Sequence, residues 1–176
     1  MASAFSHAAA ALALGTAILP RPWPRSTLLV GAGCSLLPDA DVVGFAIGIP
    51  YGHVLGHRGL SHSLAFAAVV AAAGTLALRG KWDTRVFLFL LLATASHGVL
   101  DALTDGGLGV AFFAPWSGER YFFPWRPIVV SPISPTEFFE ARSLRVLGSE
   151  ALVVGLPSFA LLAVATALRR RARPGE

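Results

Sequence analysis

The chain has 176 residues, 55% of them hydrophobic and only 14% charged, with a mean hydropathy of +0.65 and a formal net charge of +4. A soluble domain carries about a quarter charged residues, so this composition excludes an ordinary water-soluble enzyme and points to one integral membrane domain over residues 1–176. The single Cys34 excludes an intrachain disulfide and a cysteine-based zinc knuckle, and the absence of a basic face interleaved with aromatics argues against nucleic acid as a partner.

Ala4 to Leu19 reads as a first helix, apolar and Ala-rich. It lacks the Lys/Arg n-region of a secretory leader, so the expectation is a retained helix. Pro20-Arg21-Pro22-Trp23-Pro24-Arg25 stops it, and the Trp and arginines suit a membrane interface. Thr27 to Leu37 is too short to span alone and ends at Pro38-Asp39-Ala40-Asp41. Val42 to Gly56 is Gly-rich; a short helix with a turn and a partly inserted loop both fit, so residues 27–56 either cross or re-enter.

Leu64 to Leu78 follows the His57-Arg58-Gly59-Leu60-Ser61-His62-Ser63 stretch and ends at Arg79-Gly80-Lys81-Trp82. Thr84 to Leu103 is the clearest spanning helix. Residues 104–148 read as a structured outer-face loop, with Thr136 to Arg145 as a short amphipathic interfacial helix. Leu152 to Leu168 is the last span, with Pro157 as a kink point, and 169–176 is a basic tail. The fold class is all-α: a small polytopic membrane bundle of about four to five membrane helices, one of them re-entrant if 27–56 does not cross.

Lys and Arg favour the cytoplasmic side. Arg21 and Arg25, then Arg79, Lys81 and Arg85, then Arg169 to Arg173 therefore define that side, with the C-terminus cytoplasmic. At about 1.5 Å per residue, His62 lies about 25 Å from Arg79, Asp101 about 25 Å from Thr84 and His97 about 20 Å from Thr84. His7 and Asp39 lie about 21 Å from their own arginines by the same rise. These polar islands reach one depth, near the outer face.

Ionisable residues inside a membrane bundle need partners and usually carry function. His97 and Asp101 are spaced i, i+4 and share a helix face, an imidazole–carboxylate pairing suited to zinc or manganese. A hydrogen-bonded pair inside the bundle is the plainer reading. Gly98 would let a neighbour approach closely.

Asp39 and Asp41 point to one site if the turn is extended, or form a solvated helix end. A turn at Gly59 would place His57 before a helix and His62 in its first turn, with Ser61 or Ser63 as cap. Arg58 would hold the carboxylates or bind an anionic substrate group. His53 and Asp105 carry less weight, Asp105 as a helix-end residue or proton acceptor. Glu119, Arg120 and Arg126 sit among aromatics, as an interfacial belt or as a lid over a head group.

These motifs in this order, with Thr104-Asp105-Gly106-Gly107, Phe113-Ala114-Pro115-Trp116 and Phe123-Pro124-Trp125-Arg126-Pro127-Ile128, resemble the bacterial membrane-bound metal-dependent hydrolase family, the YdjM-like proteins, from His7 to about Ser134. The resemblance implies a multi-pass protein of the bacterial inner membrane with a divalent metal and a hydrolase activity. His7, Asp39, Asp41, His57, His62, His97 and Asp101 occupy the family's polar positions.

The expected function is a metal-dependent hydrolase in which a metal-activated water attacks an ester or phosphoester at the outer face, with membrane lipids, or a lipid-linked phosphate, as partner and substrate. Zinc suits the imidazole-rich donor set best, with manganese second. Asp41 or Asp105 is placed to take the proton, and Arg58 to act beside them. The alternative is a non-enzymatic membrane protein that binds or transports a metal. A third reading is a scaffold whose polar islands only join helices. Val86 to Leu92 and Ala67 to Ala73 contain no acid or histidine, which weighs against transport.

Overall fold

The computed structural model describes residues 1–20, 22, 24–133 and 143–171. Arg21, Trp23, the Arg173 end of the tail and most of the expected Thr136 to Arg145 helix lie outside the described residues. The described helices are α1 (Ala4–Ile18), α2 (Arg25–Leu36), α3 (Val43–Ala46), α4 (Leu64–Arg79), α5 (Thr84–Ala102), α6 (Ser143–Glu150) and α7 (Leu156–Arg171). Tighter 3-10 turns occupy Leu37–Val42 and Leu60–His62, and a wider π turn, Ala151–Gly155, joins α6 to α7. The all-α membrane bundle is the observed architecture. Between α5 and α6, isolated bridge pairs of Thr104 with Ile128 and Val110 with Tyr121 order the long loop.

The axis of the bundle is α5. Its apolar window is 56% buried, against 17% for Arg25–Ala46 and 6% for Ser143–Arg171. Asp83 caps it by accepting the Arg85 and Val86 N–H groups at 3.0 and 3.2 Å. Helices α1, α2 and α4 pack around it, and Ala11, Leu19, Ala71, Val86, Phe89, Leu90 and Ala93 form the shared core.

The Phe89 ring lies so close to two backbones that a Cβ on Gly15 would sit 2.8 Å from it and one on Gly31 2.1 Å from it. Small residues let helices approach where lipid gives no hydrophobic drive to associate. Gly31→Val is therefore expected to overpack the α2–α5 contact and cost about 1–3 kcal/mol. The check is the thermal midpoint in detergent, with Gly33→Val as control, since a Cβ there meets nothing within 4 Å.

Among the described residues, three helical stretches are long and apolar enough to cross a membrane: Arg25–Ala46, Thr84–Ala102 and Ser143–Arg171. The first differs from the expectation that Pro38 ends a short segment. Pro38 stands at the start of the Leu37–Val42 turn, where a missing N–H is tolerated, and the helical path runs on to Ala46. Helices α1 and α4, of 15 and 16 residues, are shorter apolar elements. At Pro157 the helix accommodates the ring with the π turn that precedes it, in the turn where a proline clashes with a carbonyl.

The Arg169 guanidinium donates to the Leu19 and Ala17 carbonyls at 2.5 and 2.6 Å, so the basic end of α7 closes the C-terminus of α1. The polar islands gather at the opposite end of these helices.

Candidate metal centre

Four elements bring their polar residues to one layer. Helix α1 supplies His7, the Leu37–Val42 turn supplies Asp39 and Asp41, the segment before α4 supplies His57, Arg58 and His62, and α5 supplies His97 and Asp101. His7, Arg58, His97 and Asp101 are fully buried, and His57 and His62 nearly so.

Local geometry explains the convergence. Ser63 caps α4 by accepting the Phe66 N–H at 3.1 Å, which holds His62 in the turn just before the helix. A Cβ on Gly98 would lie 2.9 Å from the His62 carbonyl, so glycine lets this turn rest directly on α5. The left-handed residue of the turn is Arg58, with φ 62°, rather than the glycine beside it. Its side chain explains the tolerance: Nε donates to Asp101 at 2.9 Å, and the two terminal nitrogens donate to the Gly106 carbonyl and Thr104 Oγ1 at 2.8 and 3.0 Å.

The hydrogen bonds also set the histidine tautomers. His97 Nδ1 lies 2.7 Å from the Ser35 carbonyl, which can only accept, so the proton is on Nδ1 and Nε2 keeps its lone pair. Ser61 Oγ spends its proton on Asp41 at 2.5 Å. It can therefore only accept from His62 Nδ1, 3.0 Å away, and Asp41 lies 3.2 Å from the same nitrogen. With His97 protonated on Nδ1, its Nε2 lone pair faces His62 Nε2 at 3.1 Å, and His62 Nε2 gains a free lone pair when its own proton is displaced.

Carboxylates close the figure. Asp39 Oδ1 is 3.3 Å from His97 Nε2 and 3.7 Å from His62 Nε2, and Asp101 Oδ2 is 3.6 Å from His62 Nε2. Ligand atoms about 2.0–2.1 Å from zinc stand roughly 3.3 Å apart at the corners of a tetrahedron. Asp39, His62, His97 and Asp101 therefore form a group that could hold a metal ion. Asp39 Oδ1 has no hydrogen-bond partner despite its burial, as expected of an atom awaiting a cation. Charge agrees: three carboxylates, Asp39, Asp41 and Asp101, gather in this layer, and the Arg58 guanidinium pairs with Asp101 alone among them.

Asp41 sits behind this group. Its carboxylate takes His57 Nδ1 at 2.7 Å, the Arg58 N–H at 3.2 Å and the Ser61 hydroxyl, besides His62. It thus orients His62 as a carboxylate behind a ligating imidazole does. Asp41, His57 and His62 also form a second group within ligand reach of one another, and His57 Nε2 is buried without a partner. His7 stacks on His97, ring centroids 3.7 Å apart, with its Nε2 3.7 Å from Asp101 Oδ1 and both nitrogens unpaired.

Two sequence candidates stand apart. Asp105 is exposed, accepts the Val130 N–H at 2.8 Å and joins neither group. His53 is exposed and turned to the Leu55 N–H. Arg120 donates to the carbonyls of Tyr51, His53 and His57, clamping the chain over the centre, while Arg126 lies over the Phe122 ring.

Sequence reasoning missed the Ser35 carbonyl, Ser61 as a donor to Asp41, and Glu150. A backbone carbonyl carries no sequence signal. Glu150 has one, as an acid at the edge of an apolar span.

Burial disfavours charge on His62, but Asp101, Asp39 and Asp41 outweigh it and raise its pKa to about 10. In the metal-free protein this contribution to stability is complete below the unfolded value of about 6.5 and is lost as pH rises through about 10. A metal must displace that proton. Apparent metal affinity is therefore expected to rise about tenfold per pH unit from pH 6 to 9. Titrations at stepped pH, with the released proton counted in weak buffer, check this.

A family model described as YdjM inner membrane protein matches residues 1–172. The chain is 39% identical over 166 residues to the inner membrane protein YbcI of Escherichia coli (strain K12), covering 92% of this chain and 95% of that protein. No solved structure matches it. The extent of both matches, on a bundle with this composition, shows that the chain belongs to the YdjM family of inner membrane proteins.

Proposed function

We propose that this chain is a membrane-bound metal-dependent hydrolase, with Asp39, His62, His97 and Asp101 as the ligand set and His7 beside it. The carrying observation is the meeting of two imidazole Nε2 atoms and two carboxylates, with Asp39 Oδ1 left unpaired in the interior. Such a cation, when bound, supplies Lewis-acid activation of water against an ester or phosphoester. The two imidazoles favour zinc, with manganese the next candidate.

The residues divide the work. Arg58 holds Asp101 and Asp41 holds His62, which fixes the donor atoms in place. Asp39, with 14% of its side chain exposed against 0% for His62, His97 and Asp101, marks the edge where a substrate enters. Exposed Phe113, Trp116, Phe123 and Trp125 on the long loop suit the headgroup region. They support a lipid or lipid-linked ester at the outer face as substrate. Ala71, Val86, Phe89, Leu90 and Ala93 form an apolar core in the helices that carry the site, which supports hydrolysis over transport.

The test is purified protein stripped with a chelator and assayed on lipid phosphoesters and carboxylic esters in mixed micelles. Activity is expected to vanish and to return with Zn²⁺ or Mn²⁺. Metal binding with no turnover of either ester class would leave a non-enzymatic metal-binding protein. Activity indifferent to chelation would remove the metal reading.

A further inference from the structure

We propose that Glu150, at the end of α6, positions the His7 arm of the metal centre. The proposal rests on the metal reading above.

Glu150 is 3% exposed, and a carboxylate buried in a membrane bundle is costly unless its oxygens are satisfied. Among the described residues, its carboxylate bonds the start of α1. Oε1 accepts the Ser3 N–H at 2.5 Å, and Oε2 accepts the hydroxyls of Ser3 and Ser6, the latter at 2.9 Å. Ser3 is the N-cap of α1 but makes no side-chain cap of its own. The Glu150 carboxylate instead accepts the N–H of Ser3 itself from another helix, at the end of α1 where the dipole favours a negative charge.

The clamped stretch carries the centre's α1 contacts. Just before it, the Ala2 N–H donates to Asp101 Oδ1 at 2.7 Å. Just after it, His7 stacks on His97 with an interplanar angle of 11° and faces Asp101. Neither His7 nitrogen has a hydrogen-bond partner, so the placement of α1 and the stack on His97 set where the ring points. Glu150 also ends α6 where the helix widens into the Ala151–Gly155 turn. Such wide turns re-aim a helix and are frequent at functional sites. The distal helix thereby reaches a layer whose ligands come from other elements.

The experiment is Co²⁺ titration of the full chain in detergent, reading the dissociation constant and the visible ligand-field band. The variants are Glu150→Ala, Glu150→Gln, His7→Ala and the Glu150/His7 doubles. Glu150→Ala is expected to weaken Co²⁺ binding about tenfold or more and to shift the band, as loss of an outer support does. Glu150→Gln, which keeps one acceptor oxygen, should restore part of the affinity.

In the His7→Ala background, either Glu150 substitution should add nothing, because the path runs through His7. Equal losses in both backgrounds, or no loss at all, would overturn the positioning role. Should Glu150→Ala fail to fold, the same cycle is run with Glu150→Gln. A wild-type chain that binds no Co²⁺ would overturn the metal reading and this proposal together, a result distinct from binding with an additive cycle.

Discussion

Replacing Asp101 with alanine is expected to empty the centre of metal and to destabilise the protein by about 3–5 kcal/mol. One fully buried carboxylate on α5 meets four groups, two from the start of the chain and two from the segment before α4. It accepts Arg58 Nε at 2.9 Å and the Ala2 N–H at 2.7 Å, and it stands 3.6 Å from His62 and 3.7 Å from His7. Its removal leaves the Arg58 guanidinium, itself fully buried and at a left-handed backbone position, without its ion-pair partner. Lost pairing of a buried charge costs far more than an exposed salt bridge, which is worth about 0–1 kcal/mol.

Asp101→Asn keeps the shape and an acceptor oxygen, so it should lose the metal with a smaller loss of stability. Elemental analysis and thermal unfolding in detergent, with chelated wild-type protein as reference, separate the two effects. An alanine variant as stable as chelated wild type would contradict the buried Arg58–Asp101 pair.

The second large effect separates ligands from their supports. His62→Ala and His97→Ala are each expected to weaken Zn²⁺ or Co²⁺ binding by more than about 100-fold, because each removes a donor atom. Asp41→Asn should weaken it about 10–100-fold, since it acts by orienting His62. Competition against a chelator of known affinity gives the ranking. If Asp41→Asn proves worse than His97→Ala, the ion belongs instead to the Asp41, His57 and His62 group.

Much of this molecule is written in one-dimensional pattern. Low charge and long apolar runs leave only a helical membrane bundle, because backbone groups in lipid must bond within their own segment. His97 and Asp101 could be paired from their spacing alone, since i and i+4 share a helix face. The common depth of His7, Asp39, His62 and His97 followed from helical rise. Pro38 reads as a stop in the sequence, yet the helical path runs through it, while Pro157, a kink point by pattern, follows a π turn. A proline's effect depends on whether the turn around it can tighten or widen, and neighbouring helices decide that.

The order of the polar residues along the chain, and the depth at which they lie, belong to the sequence itself. Which atoms meet does not. Asp39 and Asp41 are separated only by Ala40, yet Asp41 hydrogen-bonds to two imidazoles while Asp39 offers an unpaired oxygen. The Ser35 carbonyl fixes the His97 tautomer from another helix, and Glu150 reaches Ser3 across 147 positions. Hydrogen bonds act over about 3 Å, so direction and partner are settled only when helices distant in sequence are packed against one another.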